Sequence, residues 1–587
     1  MRLRKFGSAI LLSILALVLV SCGGGGDKNA PTATTQAAAT SARPSPTITV
    51  LATSQAATPV PQVSGTIFER SSFSKYEQTN VRYGGTYREA TTHALGSIDP
   101  KLFAGTPIAT YTRLAGDKLV RSSPNEDNIF SHFEPALAES WAVSSDLKTY
   151  TFKVRSGVKW HNIAPVNGRD LTVDDVVFSL NRYREKDSIV LPAYQQIESV
   201  SSPDKSTVVI TLKDPNAWAI NDLFGNAEIV VPPEFVKESG GSLPDKVIGT
   251  GPYILKDFKF RTSSTWVRNP NFWQKDQKGN VLPYLDSYEI IVASEPGTLL
   301  AAFRTNQLDA GGLTPQYIAN LAKSNPEVRV FLSAPATSDG IAFNTKKAPW
   351  NDVRLRRAWS MAFDRNRVAQ TVNQTTWEFN GPMWWSLVSQ EPFTYDKLGP
   401  WYKYDPEAAK KLMIEAGFPD GKFKRPGVKL EFGASYLDRA LAYQDVLKQN
   451  GIEFELLQLD NPQYQTKWFF RTYEDLTFNH WIAPDFTLAW FAQIKFSSGG
   501  SQNIAFIEDP KVDEVIKNIK STSDPAKLRE YAKFLWDFDT LNVYTLWAGQ
   551  QQGYTVRSGR TRNYMLRVAP DGIRAFPWLA DAPRTSP

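Results

Sequence analysis

A break in composition near residue 80 divides this chain into a stretch with little to bury and a stretch too long for one core. From Gly23 to about Asn80 the sequence is mostly Gly, Ala, Thr, Ser, Pro and Gln, with few large apolar residues. Such a segment cannot offset the conformational entropy of ordering it, so residues 22–80 read as a disordered tether. From Val81 onward Trp, Tyr, Phe and aliphatic residues recur to the end. About 500 residues exceed what a single hydrophobic core organises, and two or three domains are expected.

Within that part, strand and helix signals alternate, which points to mixed α/β layers. Thr149 to Arg155 places Tyr150, Phe152 and Val154 on one face and Thr151, Lys153 and Arg155 on the other, a half-buried strand ended by Ser156-Gly157. Thr172 with Asp175 three positions on forms a capping box ahead of Val176, Val177, Leu180 and Tyr183, so a helix starts there. Asp405, Pro406 and Gly417 stand where a cap, a first turn and a terminator belong, and predict a helix over 406–416. Val428 to Phe432, a helix capped by Ser435 with Asp438, and Ile452 to Leu459 read as a βαβ unit with parallel strands. Asp352 caps a helix that turns Leu355, Ala358, Trp359 and Ala362 inward. No period of 20 to 50 residues repeats.

The amino terminus has its own pattern. Arg2, Arg4 and Lys5 precede a small and apolar run from Ala9 to Val20, the form of a secretory signal peptide over residues 1–21. Its 12 residues fall short of the roughly 20 that span a bilayer. The following Leu19-Val20-Ser21-Cys22 resembles the lipobox of bacterial lipoproteins, which implies that Cys22 is lipidated. At about 0.8 kcal/mol per buried methylene, a multiply acylated cysteine would hold the protein to the outer face of the membrane. Cys22 is the only cysteine, so a mature chain built this way has no disulfide and no thiolate metal site.

Charge and motif content narrow the function further. The formal charge of +6 loses three positive residues with the signal, and the 66 basic and 60 acidic residues are interspersed, unlike the basic patches of nucleic-acid binders. The four histidines, His93, His132, His161 and His480, are not at metal-ligand spacing from one another. No HExxH, CxxC or Gly-x-Ser-x-Gly elbow appears, and Gly23 to Gly26 lacks the Lys-Ser/Thr of a phosphate loop. Neither a cofactor nor a metal is expected, and no catalytic residue is assigned, although a glycosidase pair of carboxylates has no sequence signature to search for.

Several separated blocks resemble the bacterial extracellular solute-binding protein family 5, the oligopeptide, dipeptide and nickel binders of ABC importers. They are Pro135-Ala136-Leu137-Ala138-Glu139-Ser140-Trp141 running through Lys148 to His161 and on to Asp174 to Ser179; Gly249-Thr250-Gly251-Pro252-Tyr253; Phe343-Asn344, Pro349 to Ala358 and Ala362 to Arg365; and Asp405 to Ala409 with Ala416-Gly417-Phe418. Read singly, each is a strand, turn or capped helix; together they mark a scaffold. The resemblance implies a two-lobed, periplasmic-binding-protein-like α/β fold of type II that closes about a hinge. Lobe I would comprise residues 82–118, 246–337 and 545–587, an inserted domain 119–245, and lobe II 338–544.

The same resemblance points to ligand contacts. In the peptide-binding members an Asp shortly after a Trp holds the ligand's α-amino group, and His480-Trp481-Ile482-Ala483-Pro484-Asp485-Phe486 is the matching stretch. Asp485 is thus either an ammonium receptor, strong because charge-assisted, or the cap of the apolar run Phe486 to Phe491. Trp481, Phe486, Trp384, Trp385 and Trp160 lie in or near segments that would face the cleft, where flat rings stack on peptides or sugars, or else they serve the core. Asn344 and the loop His93 to Ile98 match cleft-lining segments. Arg471 is a candidate fork for a ligand carboxylate or an ordinary surface arginine. The expected partners are a small-molecule or peptide ligand, the membrane through the lipid anchor and an ABC permease; nucleic acid is not one, and a monomer is expected. A sugar-binding module on the same scaffold is the alternative, and a secreted hydrolase or a nickel or haem carrier stands behind it.

Overall fold

The computed structural model describes residues 68–70, 80–91, 97–102, 106–123, 132–224, 228–243, 245–293, 295–333, 337–372, 377–378, 381–383, 387–388, 398–482, 487–551, 553–563 and 575–583. The apolar run Ala9 to Val20, Cys22 and nearly all of the expected tether lie outside them. Among the described residues no helix is long and apolar enough to cross a membrane.

Three larger sheets organise the described part. An eight-stranded sheet runs in the order Phe68–Arg70, Arg329–Ser333, Gly553–Arg557, Ala310–Gly312, Thr86–Thr91, Ser287–Val292, Ser263–Arg268 and Tyr253–Lys259. A four-stranded sheet runs Ala138–Val143, Thr149–Val154, Thr207–Leu212 and Ile197–Asp204, every pair antiparallel. A six-stranded sheet runs Trp377–Glu378, Thr545–Gln551, Thr337–Phe343, Leu476–Ile482, Phe423–Gly433 and Ile452–Leu459.

The local chemistry accounts for these elements. In Thr149–Val154 the residues Tyr150, Phe152 and Val154 are buried while Lys153 is exposed, the two-residue period of a strand with one wet face. The helix Val173–Tyr183 starts where Asp175 accepts the Thr172 backbone N–H at 2.8 Å and the Thr172 hydroxyl at 3.1 Å. The helix Pro406–Glu415 is capped by the Asp405 carboxylate, which accepts the Ala408 N–H at 2.9 Å. It ends at Gly417, whose φ of +94° lets Phe418 N–H reach the Met413 carbonyl at 2.9 Å and close the last turn. Asp352 caps Val353–Met361 as expected, with Leu355, Ala358, Trp359 and Ala362 fully buried.

The strands Phe423–Gly433 and Ile452–Leu459 pair in parallel around the helix Leu437–Gln449. Its start differs from the reading at Ser435: a 3-10 turn, Ala434–Tyr436, takes up that residue, and Tyr436 precedes the first helical position. Asp438 still falls in the first turn, at the positive end of the helix dipole.

Two packed bodies result. One core joins the four-stranded sheet to the eight-stranded one, with Tyr150, Phe152 and Ile210 in the same cluster as Tyr87, Tyr253, Trp266 and Ile290. A second core lies around the six-stranded sheet and its helices, from Ile341 to Ala548. The chain passes between the eight-stranded and six-stranded sheets twice, between Ser333 and Thr337 and between Gln551 and Gly553. The two passages are neighbours, because Arg329–Ser333 pairs with Gly553–Arg557 and Thr337–Phe343 pairs with Thr545–Gln551.

Two strand assignments fall elsewhere than the sequence placed them. Thr545–Gln551 belongs to the six-stranded sheet, so the second passage is at residue 552 rather than at 545. Phe68–Arg70, inside the expected tether, pairs in parallel with Arg329–Ser333, since an edge strand gains a ladder of backbone hydrogen bonds with few apolar side chains of its own.

Candidate ligand-binding edge

The six-stranded sheet has one edge at which the site can be built. Leu476–Ile482 and Ile452–Leu459 both run parallel to Phe423–Gly433, so the carboxyl ends of these three strands point the same way. Thr337–Phe343 runs against Leu476–Ile482, with Thr337 opposite Ile482 and Ser338 opposite Trp481. Both passages to the eight-stranded sheet therefore leave from this carboxyl edge. In open α/β sheets ligands sit outside the carboxyl ends of the strands, where the loops are free to vary over a fixed scaffold.

Register places the backbone of Trp481 at that edge, next to the first passage. Asp485 and Phe486, three and four positions after Ile482 in sequence, lie outside the described residues, as do Trp384, Trp385 and His93, and of Trp481 only the backbone is described. What flanks them is well defined. The helix Leu488–Lys495 is capped by Thr487, whose hydroxyl accepts the Trp490 N–H at 3.2 Å, so the capping task left open for Asp485 belongs to Thr487. From the end of that helix Lys495 Nζ donates to the Pro382 carbonyl at 2.6 Å, fixing the chain just before Trp384. The ammonium is buried, 4.2 Å from the Trp547 ring centroid, and Trp547 Nε1 donates to Asp539 at 2.8 Å. Burial pushes the Lys495 pKa down and the Asp539 pKa up.

At the end of the other expected segment, Ile98 is fully buried and Asp99 takes two hydrogen bonds from the Arg182 guanidinium, at 2.8 Å from Nη1 and a shorter one from Nη2. The Leu243 N–H adds a third at 3.0 Å, so the exit of the loop His93 to Ile98 is held against the helix Val173–Tyr183.

Asn344 and Arg471 are not brought together with Trp481. Asn344 Nδ2 donates to the carbonyls of Tyr473 at 3.3 Å and Glu474 at 3.0 Å, which ties the end of Thr337–Phe343 to the start of Leu476–Ile482. Arg471, with φ of 55°, terminates the helix Asn461–Phe470 just before that strand begins. Both belong to the amino edge, roughly 20 Å of strand away from Trp481. Trp160 is a core residue: it is fully buried, its Nε1 lies 3.4 Å from Asp175 and the Arg169 guanidinium sits 5.7 Å from its ring.

One pair at the carboxyl edge was missed from sequence. Asp339, register partner of His480, is buried and accepts a hydrogen bond from Arg439 Nη1 in the first turns of Leu437–Gln449. The guanidinium stands 5.7 Å from the Tyr436 ring. Burial pushes the Asp339 pKa up, against the pull of Arg439. A charged residue directly before the small and apolar run Gly340-Ile341-Ala342-Phe343 is the sequence signal that could have revealed it. Among the described residues no group of three or more His, Cys, Asp or Glu could hold a metal ion.

The first sequence block is a structural junction. Arg169 forks onto Asp175 at 2.8 and 2.7 Å and onto Glu234 at 2.6 and 2.8 Å. His161 Nε2 meets the Gly251 carbonyl at 3.1 Å, and burial pushes its pKa down to about 4. A Cβ on Gly249 would stand 2.1 Å from the Ala115 carbonyl oxygen and one on Gly251 2.5 Å from the Ala115 carbonyl carbon, so only glycine fits the turn.

Comparison with known proteins agrees with this architecture. The chain is 29% identical over 348 residues to the heme-binding protein A of Haemophilus influenzae, covering 56% of this chain and 61% of that protein. It is 24% identical over 469 residues to the periplasmic oligopeptide-binding protein OppA of the same organism, covering 74% of this chain and 83% of that one. The periplasmic binding protein DppA of Helicobacter pylori in complex with the peptide STSA superposes with a TM-score of 0.73 at 20% identity, over 85% of this chain and 99% of that one, which shows the two-lobed type II fold. Residues 132–503 match the model of the bacterial extracellular solute-binding proteins, family 5 Middle, and the chain belongs to that family.

Proposed function

We propose that this protein captures a short peptide between its two bodies and passes it, chemically unaltered, to an ABC permease. The observation that carries the reading is the strand register, which sets the Trp481 backbone at the carboxyl edge beside the first passage, with the cap of the following helix supplied by Thr487. Asp485 is then available for an α-ammonium, and a carboxylate meeting an ammonium out of water makes a strong, directional contact. Trp481, Phe486, Trp384 and Trp385 line the peptide, and Cys22 carries the lipid that keeps the protein at the outer face of the membrane. Among relatives, OppA and the STSA-bound DppA are peptide binders by name, which supports the ligand class. Titration calorimetry of the mature protein against pooled di- to pentapeptides tests the reading. Saturable heat with intact peptides recovered afterwards is expected; heat only with saccharides or haem, or cleaved peptides, would sink it.

A further inference from the structure

Trp218 connects the two bodies at a place where the chain itself does not. It follows the strand Thr207–Leu212 of the four-stranded sheet, yet among the described residues it is the one buried member of the six-stranded body's core that comes from outside residues 341–548. Its indole N–H is shared between the carbonyls of Ile519 at 3.0 Å and Thr522 at 3.1 Å, in the turn between the helices Pro510–Lys520 and Pro525–Asn542. Beside it the Ala217 N–H donates to the Lys520 carbonyl at 2.8 Å.

The arm that carries the indole is rigid. Asn216 accepts the Trp218 N–H at 2.9 Å and donates to Asp222 at 2.8 Å and to Gln196 at 2.7 Å, while its own carbonyl takes the Tyr150 hydroxyl. Trp218 is therefore fixed to the first body by a buried polar network and to the second by an aromatic plug with its donor satisfied. Lys520 adds charge attraction toward Asp222 and Asp214.

We infer that Trp218 is a latch that holds the two bodies in their closed relation. The two neighbouring passages leave one body free to swing against the other, and a third attachment made of side chain and turn stops that swing until it is withdrawn. Opening extracts the indole from an apolar socket and breaks three hydrogen bonds, so the resting population of open molecules is set here as well as at the ligand.

This inference rests on the hinged reading of the two passages, and the test separates them. Small-angle scattering and amide hydrogen exchange are measured on the ligand-stripped mature protein as wild type, W218A and W218F, the last keeping most of the ring while losing the N–H. A latch gives a larger radius of gyration in both variants, and exchange at Ile519 to Thr522 rising at least about tenfold in W218A. Should W218A fail to fold, W218F carries the comparison. Scattering curves that coincide for the wild type and both variants overturn the latch. If the wild type nevertheless contracts on adding the peptide pool, the hinge stands without it; if it does not, the hinge reading falls too.

Discussion

Asp339 and Arg439, a hundred residues apart in sequence, meet as a buried carboxylate and a guanidinium at the edge of the six-stranded sheet where the chain enters it. The carboxylate comes from a strand beside the first passage and the guanidinium from a helix start, so the pair fastens Leu437–Gln449 to the strand Thr337–Phe343.

Removing only one partner strands the other. R439M should destabilise the protein by about 3 kcal/mol in urea denaturation, because a buried Asp339 is left uncompensated, and the double change D339L/R439M should recover most of that loss. Equal stability of R439M and wild type would show that the pair carries no weight.

The cap and the ligand contact separate cleanly. T487A should lose about 1 kcal/mol of stability with little change in peptide affinity, since it removes only the acceptor for the Trp490 N–H. D485A should do the reverse, weakening a bound peptide by about 2 to 5 kcal/mol in calorimetry at nearly unchanged stability.

His161 makes stability depend on acid. Burial holds its folded pKa at about 4 against 6.5 when unfolded, so between those values the unfolded chain binds the extra proton. The stabilisation is complete above pH 6.5 and drains away as pH falls toward 4, by up to about 3 kcal/mol. Denaturation midpoints measured from pH 7 to 4 should fall more steeply for the wild type than for H161Q.

The glycine turn should tolerate no side chain. G249A drives a methyl into the Ala115 carbonyl and should cost about 3 kcal/mol or prevent folding, whereas the same change at Gly157, which has nothing within 4 Å but a φ of +74°, should cost about 1 kcal/mol, read from thermal melts.

The proposed attachment to the membrane turns on Cys22. C22A should move the mature protein from the membrane fraction to the soluble one; retention in the membrane fraction would disprove the lipid anchor.

Local signals were legible where one residue type does one job. Asp405 and Asp352 cap, Gly417 terminates, and the alternation of Tyr150, Phe152 and Val154 makes a strand, all from chemistry within a few positions. The non-local parts were not. No pattern in sequence couples Asp339 to Arg439 or sends Trp218 into a distant core, because such contacts are chosen by the packing of whole sheets. Trp160 shows the same limit from the other side: a ring that could have stacked on a ligand is committed to Asp175 and Arg169 in the interior. At the site, Trp481 and Asp485 came from the family resemblance alone, while the strand Leu476–Ile482, the register that sets the Trp481 backbone at the carboxyl edge and the opposite placing of Asn344 and Arg471 came only from the pairing of strands.

Because the strands on either side of the joint are paired with one another, the stretch from Thr337 to Gln551 leaves and rejoins its host at adjacent points. It is a cassette whose two ends share a doorway, the arrangement in which one fold can be spliced into another without disturbing the recipient. A cut in either connecting strand would leave the halves tethered by its twin, and a short artificial bridge across the doorway would let the cassette be produced alone, with only the socket for Trp218 left unfilled.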